Sequence, residues 1–171
     1  LDSSGVVECW QDDAGARVVA QGALRLDPSW AGPCAVLDGG TVLRLPQGTP
    51  WRLTGIAQVG GSCALTQQGD VLCMSAARGL ELSDCVAETD GGHSCNGSPH
   101  PPMAIPRRAI ALSNSSIIFQ NPAGEGCALL VDDEVWCWRS ASDVPAQVLG
   151  VLYPRQVVGS AAGGCALSGL N

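Results

Sequence analysis

Five cysteines recur at a near-regular interval, Cys34, Cys63, Cys95, Cys127 and Cys165, with gaps of 29, 32, 32 and 38 residues. Three of them open one phrase: Cys63 begins CALTQQGDVLCM, Cys127 begins CALLVDDEVWCW and Cys165 begins CALSGLN. A looser copy, CAVLDGGTVLRL, starts at Cys34. Self-similarity at a period of roughly 20 to 50 residues marks a solenoid, a propeller or an array. The chain is read as a repeat protein of about five short units.

The two ends complement each other. The opening residues LDSSGVVECW match the second half of the phrase, with Leu1 aligned to Leu65, Gly5 to Gly69, Cys9 to Cys73 and Trp10 to Met74. The last residues supply the first half. An open solenoid needs caps, whereas a ring lets the N-terminal strand pair with the C-terminal one and leaves no free edge. The expected fold is therefore all-β: a small closed β-propeller of about five short blades, the terminal strands sharing one blade. It forms a single domain over residues 1–171 with an irregular Pro-rich insert at about 83–108.

Composition agrees with short strands rather than helices. Gly, Pro or Ser interrupts nearly every window long enough for a helical period, and the chain holds 22 Gly and 11 Pro. No apolar run is long enough to span a bilayer as a helix. A net charge of −7, with no Lys, argues against a nucleic-acid partner, which requires clustered positive charge. No signal peptide is visible and the first residue is Leu1, which fits a processed or excised segment.

Nine cysteines in so small a chain suit a disulfide framework outside the cytoplasm. Two glycosylation sequons, at Asn96 and Asn114, point the same way. The spacing Cys-x9-Cys predicts three bonds: Cys63–Cys73, Cys127–Cys137 and Cys85–Cys95. In the first two, polar tips (Gln67 to Asp70, Val131 to Glu134) place the cysteines equidistant from a tight turn, hence opposite one another on a hairpin, within disulfide range. The same logic pairs Cys9 with Cys165 across the ring closure. Cys34 has no mate, because Arg44 stands where one would be; it is expected as a free buried thiol or an intermolecular link. Zinc at His93, Cys95 and His100 beside Cys85 is the alternative use. Yet no tight Cys-x2-Cys pair exists and oxidised cysteines cannot ligate, so neither metal nor cofactor is expected.

The phrase CAL, four residues, V-x-CW, after a Gly-rich lead-in, resembles repeats of the regulator of chromosome condensation family, most closely its cysteine-rich extracellular, crinkly-like branch. The matching lead-ins are IAQVGGSCAL at 56–65, IIFQNPAGEGCAL at 117–129 and VVGSAAGGCAL at 157–167. The resemblance implies a propeller that binds rather than catalyses. The segment SDCVAETDGGHSCNGSPHPPMAIPRR at 83–108 departs from the pattern, and its prolines suit a loop or a sheet edge.

No GxSxG, HExxH or P-loop pattern is present, and both histidines lie in the irregular segment. The acids Asp12/Asp13 and Asp132/Asp133/Glu134 fall at turns, where Asp satisfies local backbone groups. Trp10, Trp136 and Trp138 fit core packing between units. Trp30 and Trp51, near unit junctions, with His93 and His100 are the candidate binding residues. The expected function is a non-catalytic, secreted or cell-surface interaction or assembly module, with another extracellular protein or a second copy as partner and no membrane insertion. A secreted inhibitor or lectin-like glycan binder, and a structural subunit of an extracellular fibre or coat, are the alternatives.

Overall fold

The computed structural model describes residues 5–10, 16–29, 32–74, 82–88, 92–113, 125–160 and 163–169. These residues form an all-β structure of small antiparallel sheets, with strands numbered in chain order. Two sheets are complete. One joins β3 (Ala23–Ser29), β4 (Gly32–Leu37), β5 (Val42–Arg44) and β6 (Thr49–Pro50); the other joins β13 (Ala109–Leu112), β14 (Gly126–Leu130), β15 (Val135–Trp138) and β16 (Ala146–Gln147). A third has β7 (Ile56–Gly60), β8 (Cys63–Thr66) and β9 (Val71–Cys73). Its fourth-strand position is held by Met103, whose N–H donates to the Val71 carbonyl at 2.8 Å. Trp51 to Val42 and Val148 to Val135 make the same bond in the other two sheets.

Two half-sheets complete the set: β1 (Val7–Trp10) with β2 (Ala16–Ala20), and β17 (Pro154–Ser160) with β18 (Gly163–Ser168). One irregularity identifies the repeat more sharply than the cysteines do. The first strand of each unit carries one extra residue against its partner, Leu24, Ala57, Ile110 or Arg155, at the same place in the register. A bulge of this kind bends the strand and raises its twist, so four units leave the ladder with the same curvature.

Among the described residues four hairpins share this bulge, where the cysteine interval suggests about five units. Cys95 shares the cysteine spacing but belongs to a separate three-stranded sheet of β10 (Cys85–Ala87), β11 (His93–Cys95) and β12 (Ser98–Pro99). That sheet is inserted between β9 and Met103. It is held by the Arg52 N–H on the Ser83 carbonyl and by Arg44 Nη2 on Ser83 Oγ (3.1 Å). Pro99 sits on its edge strand, as a residue without a donor must. A second correction concerns the lead-in at 117–129. The strand that opens this unit is β13, upstream at Ala109, and residues 114–124 lie outside the described ones.

The units stack in order. β7 packs on β3 and β4, β13 on β7 and β8, and β17 on β13, β14 and β15. Each junction is an apolar cluster built from equivalent positions. Between the second and third units, Cys63, Leu65, Val71 and Cys73 face Ala109, Leu112, Ala128, Leu130 and Trp138. β1 meets the first unit in the same way: Val7 and Cys9, equivalent to Val71 and Cys73, face Ala23, Ala35, Leu37 and Leu45, equivalent to Ala109, Ala128, Leu130 and Trp138.

Cys63–Cys73, Cys85–Cys95 and Cys127–Cys137 are disulfides, with Cα separations of 4.1, 4.0 and 4.0 Å. Each joins residues directly opposite in register. The structure differs at Cys9 and Cys165, which are both free thiols. β1 is laddered to β2 and β18 to β17, and among the described residues no ladder joins β18 to β1.

Candidate interaction edge and cleft

Among the described residues, the last hairpin lacks the neighbour that its counterparts have. Leu65 and Leu129 are each 3% exposed beneath the third strand of their units, whereas Leu167 on β18 is 64% exposed. Cys165 is exposed, while Cys63 and Cys127 are buried. The opposite end of the stack shows the matching deficit. Val59, Leu112 and Val157 are at most 7% exposed, but Leu26, at the equivalent place on β3, is 51% exposed. An unpaired strand edge with apolar side chains is a pairing template.

Beside that edge lies a cleft of about 530 Å³ between β15–β16 and the β17–β18 hairpin. Its walls include the Cys127–Cys137 disulfide, Val135, Val157, Cys165 and Ala166. The adjoining segment presents Val144, Leu149, Leu152 and Tyr153, which are 86, 81, 70 and 56% exposed. Exposed apolar side chains this close along the chain suit a contact surface.

The residues singled out in the sequence distribute differently. Trp51 is buried against Leu53, Leu82 and Met74 in the core and offers no open ring face, a correction to its reading as a binding residue. Its Nε1 has no partner among the described residues, nor does Nδ1 of the half-buried His93. His100 Nε2 donates to the Cys73 carbonyl at 3.0 Å, which ties the insert to β9. Burial lowers the His100 pKa; the Cys73 bond opposes that, and His93 adds a smaller push in the lowering direction. Thus His100 serves the attachment of the insert. Trp30 and Asn114 lie outside the described residues, as do Asp12 and Asp13. Asn96 is exposed at the turn between β11 and β12. Asp132 and Asp133 are exposed at the β14–β15 turn, and Glu134 accepts from Trp136 Nε1 at 2.7 Å. Trp138 is buried. Cys85 and Cys95 are oxidised and cannot ligate a metal.

Cys34 is fully buried opposite Arg44, and its Sγ donates to Ser29 Oγ at 3.2 Å. Burial raises its pKa, only partly offset by the Ser29 bond and the Arg44 charge. Among the described residues the thiol is enclosed, which fits the free buried thiol rather than the intermolecular link.

Two buried polar residues that the sequence reading passed over tie units together. Asp27 Oδ2 accepts from the Val59 N–H at 2.8 Å and Oδ1 pairs with Arg25 Nε at 2.7 Å. The Gln58 amide bonds both backbone groups of Leu112. Gln58 is the single polar residue in the strand IAQVG, and Asp27 follows Arg25 in LRLD, which was the available signal. No family model, curated protein or solved structure matches this chain.

Proposed function

We propose that the chain is a non-catalytic interaction module of the cell exterior, built as a small propeller of four blades and docking another extracellular protein through an apolar surface. The observation that carries this reading is the exposure of Val144, Leu149, Leu152 and Tyr153 along one stretch of chain, on a frame stapled by three disulfides. The bonds suit an oxidising, extracellular-type environment, and no helix of the described residues is long and apolar enough to cross a membrane. The four equivalent bulges and junctions support the propeller, and the resemblance to the cysteine-rich branch of the chromosome-condensation-regulator repeats supports binding over chemistry. Asn96, exposed on a turn, is the site proposed for glycosylation. Assembly with further copies, as in a fibre or coat, is a second reading favoured by the same surface.

The test is binding of fluorescently labelled protein, secreted and oxidised, to intact source cells. Saturable binding competed by unlabelled protein, and lost in a Leu149→Asp/Leu152→Asp variant of unchanged melting temperature, is expected. Absence of saturable binding together with a strictly monomeric sedimentation profile overturns the reading.

A further inference from the structure

The two half-sheets are the halves of one unit. β17–β18 rests on the third unit as β7–β8 rests on the first, and β1–β2 rests on the first unit as the second half of the second unit rests on the third. In the complete sheets the strand order is first, second, third, fourth. β17 and β18 hold the first two places by register, and β1 and β2 the last two. Only the pairing of β18 with β1 is missing. Three independent deficits sit along that seam: the free edge of β18 with exposed Leu167, the exposed Leu26 on β3, and the cleft.

We propose that β18 takes β1 of the same chain, so that β17–β18–β1–β2 becomes a four-stranded sheet like β3–β6 and β13–β16, with Cys9 and Cys165 as a covalent latch. The pairing places Cys9 opposite Cys165 as Cys73 stands opposite Cys63. Their oxidation forms one S–S bond from two thiols, and the two electrons and two protons pass to an external disulfide that is reduced to two thiols by exchange. Own-chain closure is favoured over a second copy because the donor and acceptor strands are tethered, at an effective concentration of order millimolar. Closure also brings Leu26 onto Cys165 and Leu167, the neighbours that Leu112 has in Cys63 and Leu65.

This inference rests on the ring reading of the four units. Non-reducing peptide mapping of the oxidised monomer tests it, with amide exchange of residues 163–168 as a second readout that needs no variant. A Cys9–Cys165 linked peptide in the monomer and exchange at 163–168 slowed to the level of residues 63–66 are expected. Alkylation of both cysteines in the folded monomer with the three hairpin bonds intact, or the link found only in a covalent dimer, overturns it. Small-angle X-ray scattering separates the two failures. A compact profile without the link sinks the latch alone, while an extended profile sinks the ring with it.

Discussion

The side-chain amide of Gln58 replaces a strand between two units: its Nε2 donates to the Leu112 carbonyl at 3.0 Å and its Oε1 accepts from the Leu112 N–H at 2.9 Å. Both backbone groups are interior, and Gln58 is buried with them. Truncation leaves two buried groups without partners, each carrying its full desolvation cost. Gln58→Ala is therefore expected to destabilise by about 2 to 4 kcal/mol, measured by urea denaturation of the oxidised protein. A loss under 1 kcal/mol means that water or a neighbour takes over the pair.

Asp27 performs the same task one junction earlier. Its carboxylate is fully buried, while the paired Arg25 side chain is 37% exposed, so screening weakens the ion pair and the Val59 N–H is the more important partner. Asp27→Asn keeps an oxygen acceptor for that N–H; Asp27→Ala removes it. The expected losses are about 1 kcal/mol for Asn and about 2 to 3 for Ala, by the same assay. Equal losses would assign the role to charge instead.

The hairpin bonds differ in what they hold. Replacing Cys63 and Cys73 by Ala, or Cys127 and Cys137, is expected to cost about 2 to 3 kcal/mol each, from the closed-loop constraint on the unfolded chain. Replacing Cys85 and Cys95 loosens the insert first. Amide exchange then rises in residues 82–100 while Ala64 and Ala128 stay protected. Uniform deprotection across the chain contradicts the separation of insert from repeat.

Acid acts on the same attachment. The His100 pKa is lowered in the folded chain, chiefly by burial, so the unfolded state binds the extra proton first. Stability is fully present above the ordinary value of 6.5 and falls as pH drops from there through the folded pKa. His100→Gln retains a donor for the Cys73 carbonyl and removes the titration. The melting temperature of this variant is expected to fall less than that of the wild type between neutral pH and about pH 5.

Cys34 behaves oppositely at high pH. Its thiol pKa is raised by burial, so stability is complete below the ordinary thiol value of 9.0 and is lost as pH rises through the folded pKa, because the unfolded chain ionises first. Cys34→Ala should flatten the alkaline limb of the melting curve. Iodoacetamide should label Cys34 only as fast as the chain unfolds; prompt labelling of the native protein rules out its burial.

Much of this was legible in the cysteines. The Cys-x9-Cys spacing set the hairpin register, and Arg44 opposite Cys34 followed from the same spacing. The cysteine interval suggests more units than the shared bulges do because Cys95 keeps the interval although its three-residue strands belong to an insert with none of those bulges. The third unit was entered too late, since AIAL at Ala109 lacks the Gly-rich lead-in of its counterparts. The Gln58 and Asp27 ties escaped because their partners lie 54 and 32 residues away, and nothing local in the sequence announces a long-range partner. The burial of Trp51 was not legible because position relative to a junction says nothing of which side is covered.

The insert at 82–100 has a consequence for how such chains change length. The ladder bond from Met103 to Val71 forms as its counterparts do in uninterrupted units, so the unit keeps its register around a stapled hairpin carried between its third and fourth strands. That hairpin is also part of the interior, because Leu82, Cys85 and Cys95 lie in the core cluster of Val59, Leu72 and Met74. The length of a chain built in this way then says little about its number of units.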